Sequence, residues 1–346
     1  MWSAITAALV LLGALVGFGG WASAGVAAGA SPWAYAAAFV LGYAALVLAL
    51  TLTFFALAWI WRSPRPHDAR IGPAGTARLL WNEYAALLGA SPRMILYRLL
   101  VPDDPPTRSP APVLLVHGVL CNAGVWTSMR RRLATAGAGP LHAISYGPPL
   151  ASIERFAGQL AAKIDAILDQ TGARDVALVT HSMGGQLVYD ALTAFAGDVY
   201  GGMPRVDLWC ASASQIGLFA ELGMFVAEGP PSVVGVPADR LGYLWNAWSS
   251  SDVLSFRAEG WVAGAHDTDF TFSGSLGANH MSYLTDPTFY RTLAAKVRAH
   301  CGPTTPRKLT ATDPVPTAAT ELELRATDEP SVRHELAQYG EISDLR

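Results

Sequence analysis

Hydrophobic and polar positions follow different rules along the chain. From Met1 through Trp61 there is no Asp, Glu, Lys, Arg or His. Two apolar segments, Trp2 to Trp21 and Trp33 to Trp61, flank a small-residue linker, Ala22 to Pro32. Each segment reaches the ~20 residues needed to cross ~30 Å of hydrocarbon. Trp21, Trp33, Trp59 and Trp61 stand where an aromatic belt would lie. Residues 1–62 are therefore expected to form two transmembrane helices, and Gly13-x-x-x-Gly17 offers them a close-packing stripe. A cleaved signal peptide would need a basic n-region, which is missing here, and would leave the second segment unexplained. Arg62, Arg65 and Arg70 follow the second segment directly while the linker is uncharged. The positive-inside bias then places both that end and the N-terminus in the cytoplasm.

Past residue 62 the pattern acquires period. Ile71 to Ser91 carries Leu79, Leu80, Tyr84, Leu87 and Leu88 at helical spacing, within a juxtamembrane linker over 63–93. Met94 to Val101 reads as a strand and Pro102 to Pro106 as a turn. From Pro112 onward, short apolar runs alternate with amphipathic ones. Pro112 to Val116, Leu141 to Tyr146, Asp175 to Thr180, Val206 to Ala211 and Leu241 to Trp248 are strand-like. Ser152 to Gln170 is a helix with Ile153, Phe156, Leu160, Ile164 and Ile167 on one stripe, Ser152 as its N-cap and Gly172 past its end. This alternation argues an α/β domain over 94–301, a mainly parallel sheet with helices on both faces. Functional groups in such a fold gather at the carboxyl ends of the strands. Ala213 to Asp239 interrupts the alternation with an apolar helix-like run, read either as a lid (213–239) or as one more core helix. The stretch 302–346, rich in Pro, Thr and charge, is expected to be disordered.

The candidate chemistry begins where the strand Asp175 to Thr180 runs into His181-Ser182-Met183-Gly184-Gly185 and then a helix pattern. A serine on so tight a strand-to-helix turn projects its hydroxyl from the backbone, as a nucleophile must. The usual elbow is G-x-S-x-G; here Thr180 holds the first position. Upstream, Val113-Leu-Leu-Val-His117-Gly118-Val119 ends a strand in a glycine turn. The amides of Val119 and Met183 are the candidate oxyanion donors. A serine hydroxyl also needs a base and a group to orient that base. His280 is the best candidate base, with His266 its competitor. Asp252, just past a strand end, is the candidate acid, with Asp267 and Asp269 as rivals. His117 and His181 read as packing residues.

The order Ser182, Asp252, His280 and the motifs Val-Leu-Leu-Val-His-Gly and Thr-His-Ser-Met-Gly-Gly resemble the α/β-hydrolase superfamily, most of all its bacterial lipase and esterase branch, over about Met94 to His300. The resemblance implies an α/β-hydrolase fold and hydrolysis of a carboxylic ester through an acyl-serine intermediate. The same triad also serves thioesterases and acyltransferases, and a catalytically silent relative would bind a lipid or a partner. An apolar lid and a membrane anchor both favour a lipid-like ester substrate, with the bilayer as partner. In a bacterium such an anchor would sit in the inner membrane.

Composition narrows the remaining classes. Charged residues make up only 15% of the 346 positions, a deficit concentrated in the charge-free N-terminal stretch. A formal net charge of -3 without a basic patch argues against nucleic-acid binding. The three cysteines, Cys121, Cys210 and Cys301, show no paired spacing and suggest no disulfide framework. No His/Cys cluster has metal-ligand spacing and no phosphate-binding glycine loop occurs in context, so neither a metal nor another cofactor is expected. Oligomeric state leaves no mark on this pattern.

Overall fold

In the computed structural model the described residues are 2–60, 72–101, 112–119, 121–148, 151–194, 205–212, 241–249, 252, 254–258, 264–270, 272 and 280–301. The expected lid over 213–239 and the tail over 302–346 lie outside them.

Among the described residues six parallel strands form one sheet: β1 (Val113–Val116), β2 (Leu141–Ile144), β3 (Asp175–His181), β4 (Arg205–Ser212), β5 (Leu241–Trp248) and β6 (Ala265–Asp269), in the order β2-β1-β3-β4-β5-β6. Strand side chains alternate between two apolar layers, which is why the sequence shows continuous apolar runs rather than polar–apolar alternation. Leu114, Val116, Leu178 and Trp209 pack on α6 (Ile153–Thr171) and α7 (Met183–Ala194). Val113, Leu115, Val179 and Trp245 pack with Met129 and Leu133 of α5 (Thr127–Thr135) and Phe289 and Leu293 of α8 (Pro287–Cys301). Helix α6 starts and stops as its caps dictate. The Ser152 hydroxyl accepts from the Arg155 N–H at 3.4 Å, and Gly172 adopts φ 69°, a left-handed C-cap.

The connections position the site. From β1 the chain goes to β2 on one side and then, through α6, to β3 on the other. That reversal opens a crevice at the carboxyl ends of β1 and β3. Register pairs Val116 with Thr180, so the residues after each strand, Gly118 and Ser182, meet there.

The N-terminal part departs from expectation in three places. Helix α1 (Trp2–Ala27) runs through half of the expected linker, and the turn to α2 (Pro32–Ile60) shrinks to a few residues around Gly29, at φ 89°. Phe18 packs on Phe39 and Trp21 on Tyr35 across that turn. Gly13 and Gly17 are not the close-approach stripe: nothing lies within 4 Å of a Cβ built at either. The close approach is at Gly25, where a Cβ would collide with the Tyr35 ring. Finally, Met94 to Val101 is helical. Helix α3 (Pro73–Ile95) runs past Pro92 and a one-turn helix α4 (Tyr97–Leu100) follows. Ile95, Leu96, Leu99 and Leu100 recur at helical spacing on a surface that stays exposed, and among the described residues no strand pairs with it.

Candidate active site

Each part of the site is set by backbone first. Ser182 follows the last residue of β3 and precedes the first of α7, and it has φ 57°, the one positive φ among described non-glycine residues. Such a conformation costs of order 1–3 kcal/mol and persists only where surrounding structure over-determines it. Here the Ser182 N–H donates to the Ser212 carbonyl of β4 at 2.9 Å and the Gly185 N–H donates to the Ser182 carbonyl at 3.0 Å. The turn also needs two glycines. A Cβ on Gly184 would stand 2.7 Å from the backbone oxygens of both Val116 and His117. One on Gly118 would stand 2.8 Å from the Ser182 Cβ. Loop and elbow are thus pressed together by the absence of side chains. Thr180 fits because it faces the α6–α7 layer, where its hydroxyl accepts from the Trp209 indole at 3.1 Å.

The candidate base and acid come from loops beyond the sheet. Asp252 is buried in the turn after β5; its Oδ1 accepts from the Leu254 N–H at 2.9 Å. Its Oδ2 lies 2.9 Å from His280 Nδ1, which donates to it. Burial alone would lower the His280 pKa. The Asp252 carboxylate, through charge and hydrogen bond, reverses that and leaves it raised. Ser182, His280, Gly118 and Val119 line one cavity. Met183 opens α7, whose first-turn amides have no partner within the helix.

The rivals lie elsewhere. Asp267 accepts from the Asn246 amide at 2.8 Å and from the Ala258 N–H at 3.1 Å, which fixes the loop after β5 against β6. Asp269 sits at the exposed end of β6. His266 stacks on Tyr243 at 4.9 Å. His117 stacks on Tyr146 and donates from Nδ1 to the Gly118 carbonyl at 2.8 Å; burial pushes its pKa down to about 4. His181 does more than pack. Its Nε2 donates to the His280 carbonyl at 2.8 Å, which ties the elbow to the loop of the candidate base. Burial, with the nearby His280 charge, pushes it down to about 3, so it stays neutral. Cys121 also lines the cavity, with its thiol pushed up to about 12 by burial.

Two polar residues of the cavity escaped the sequence reading. Glu83 of α3 is buried and accepts from the His280 backbone N–H at 2.5 Å. Burial raises its pKa to about 7, against the lowering pull of His280. The signal was present: Glu83 replaces an apolar residue on the stripe that runs from Leu79 to Leu87. Thr51 of α2, fully buried, is the other. Among the described residues no group of His, Cys, Asp and Glu is arranged to hold a metal ion.

The alpha/beta hydrolase family model matches residues 113–342. No curated protein matches the chain in sequence. Among solved structures the chain is similar to the mature lipase BlEst2 of Bacillus licheniformis, at 15% identity over 57% of this chain and 95% of that one, with a TM-score of 0.39. It is similar to lipase B of Aspergillus fumigatus at 16% identity, over 58% of this chain and 55% of that one, with a TM-score of 0.41. A pyrethroid hydrolase from Sphingobium faniae is 12% identical over 56% of this chain and 98% of its own length, with a TM-score of 0.38.

Proposed function

Because the chain belongs to the alpha/beta hydrolase family, we propose that it is a serine hydrolase that cleaves carboxylic esters, lipid-like ones above all, from a membrane anchor. One observation carries the reading: a serine in left-handed conformation shares a cavity with a histidine whose far nitrogen is held by a buried carboxylate. Ser182 Oγ attacks the acyl carbon while His280 Nε2 accepts its proton. The amides of Val119 and Met183 receive the oxyanion. As the tetrahedral intermediate collapses, the imidazolium returns the proton to the leaving alcohol. Water then attacks the acyl carbon as the same nitrogen takes its proton, and the imidazolium returns that proton to Ser182 Oγ as the acid leaves. Asp252 holds the ring in the tautomer that leaves Nε2 free to accept.

The anchor is supported by α2. Among the described residues, Pro32–Thr53 is long and apolar enough to cross a membrane, with a mean hydropathy of 2.1, and Leu12–Ala27, part of the 26-residue α1, is apolar as well. Val40, Leu41 and Leu46 of α2 stay exposed, as side chains facing lipid would. With Arg62, Arg65 and Arg70 following, the catalytic domain over 94–301 faces the cytoplasm.

A fluorophosphonate probe tests the chemistry. The wild-type protein should label and Ser182→Ala should not, with ester hydrolysis lost in parallel. A wild type that neither labels nor hydrolyses any ester would instead make the domain a binding module. Acyl transfer to an added alcohol in preference to water would make it an acyltransferase.

A further inference from the structure

The cavity that holds Ser182 is not walled by the hydrolase sheet alone. Thr51 from α2 and Glu83 and Leu87 from α3 line it together with Leu254 and Met281. Thr51, Glu83 and Leu87 come from outside the stretch matched by the family model. On α2, Val47 and Thr51 lie one turn apart and turn inward, while Leu46, Leu48, Leu50 and Leu52 remain exposed. The Thr51 hydroxyl donates to the Val47 carbonyl at 2.8 Å, so its polarity is spent within the helix. From Trp33, which is 81% exposed, to Thr51 the helix rises about 27 Å at ~1.5 Å per residue. That is close to the ~30 Å of a hydrocarbon core. Thr51 therefore lies in the half of α2 nearest the catalytic domain, between Trp33 and Trp59.

From this we infer that the inward face of α2, centred on Thr51, is a wall of an acyl-chain site, and that the chain of the substrate ester reaches Ser182 along α2 from the bilayer. The inference rests on the serine-hydrolase reading above and names its substrate class: esters whose acyl chain stays in the hydrocarbon while the carbonyl is attacked. Thr51→Trp in the full-length protein in phosphatidylcholine vesicles should lower kcat/KM for a palmitoyl ester by about tenfold or more, and for an acetyl ester by less than about twofold. Both esters falling together, or neither falling, would overturn it. A second measurement needs no variant: a long-chain alkyl fluorophosphonate with a terminal diazirine, once bound to Ser182, should crosslink to the peptide that contains Thr51. Crosslinks confined to residues downstream of 113 would overturn the site. If wild type hydrolyses neither ester and Ser182 takes no probe, the underlying reading has failed instead.

A different observation carries a second inference. The hydrogen bond from the His280 N–H to Glu83 joins residues 197 apart in sequence and is buried on both sides. With Asp252 on the ring and Glu83 on the backbone, the histidine is held at two points by carboxylates from different elements. We propose that Glu83 is a positioning residue for His280. The charges facing it are His280 and Asp252; Cys121, also close, stays neutral as a thiol, and His181 and His117 stay neutral as well. An ionised Glu83 favours the imidazolium that forms during attack. Glu83→Gln keeps an acceptor for the N–H and removes the charge; Glu83→Ala removes both. Because the Glu83 charge raises the His280 pKa, the acid limb of kcat/KM for the acetyl ester should lie at lower pH in Glu83→Gln than in wild type. At its plateau Glu83→Gln should stay within about tenfold of wild type, whereas Glu83→Ala should lose about a hundredfold. Superimposable pH profiles for wild type and Glu83→Gln would overturn the proposal, as would full activity in Glu83→Ala. If Glu83→Ala melts before assay, the Glu83→Gln profile decides.

Discussion

The two halves of the active site are held by different forces. On the nucleophile side, Ser182, Gly118 and Gly184 are placed by strand register and by backbone pressed on backbone. The titratable side chains that bond to it, His117 on the Gly118 carbonyl and Tyr146 on the His117 carbonyl, are kept neutral by burial. On the base side, His280 is placed by polar side chains: Asp252 on its ring, Glu83 on its N–H and His181 on its carbonyl. Strain on the first side is stored in geometry and does not change with pH. On the second side, two groups have shifted protonation: Glu83 is raised to about 7 by burial, and His280 is raised from its ordinary value by the Asp252 carboxylate. Substitutions on the base side should therefore move the pH profile, and those on the nucleophile side should move rate or stability with the profile intact.

The largest effect expected is at Asp252. Asp252→Asn keeps the shape of the side chain but removes the charge that favours the correct tautomer and the imidazolium. A loss of about four orders of magnitude in kcat is expected, by analogy with the triad aspartate of other serine hydrolases. The sign of the pH effect follows from the cause. Asp252 raises the His280 pKa, so its replacement lowers that pKa, and the acid limb of kcat/KM must shift to lower pH even as the plateau falls. An acid limb that stays in place would break the contrast between the two sides.

Gly184→Ala probes the other side. Its Cβ would meet two backbone carbonyls at 2.7 Å, and neither can swing away. Helix α7 must shift away from β1, and with it the Met183 amide. Overpacking of this kind costs about 1–3 kcal/mol, and a misplacement near 1 Å costs about a hundredfold in rate. The expected result is a lower melting temperature and about a hundredfold lower kcat, with the apparent pKa of the acid limb unchanged. A shifted limb would mean that the elbow and the base loop are electrostatically coupled, not merely in contact.

The same division decides what can be read in the chain. Sheet and elbow are local: a buried parallel strand writes itself as an apolar run, and a serine between strand and helix is flagged by its small neighbours. Strand β6, Ala-His-Asp-Thr-Asp, went unread because an edge strand that is half exposed has no apolar run to show. Met94 to Val101 was misread because a short apolar run does not declare its period, and helix α3 tolerates Pro92 inside it. Asp252 and His280 were legible only as an order of residue types. The meeting of Glu83 with His280 was not legible, since nothing in either segment encodes a contact across 197 residues. A carboxylate on an apolar stripe was the one mark it left.

The smallest effect expected is at Thr180, the position where the chain departs from the usual glycine. Its hydroxyl serves the Trp209 indole, not the reaction. Thr180→Val preserves volume and leaves that N–H, fully buried, without its acceptor. An orphaned buried donor costs about 1–3 kcal/mol. Urea unfolding should show a loss in that range with an unchanged m-value, while kcat/KM stays within about threefold of wild type. The side chain of Thr180 points into the α6–α7 layer and the hydroxyl of Ser182 into the cavity, so the two changes should not communicate. A large loss of activity with little loss of stability would mean that the threonine shapes the elbow itself, and the nucleophile side would then depend on a polar side chain as the base side does.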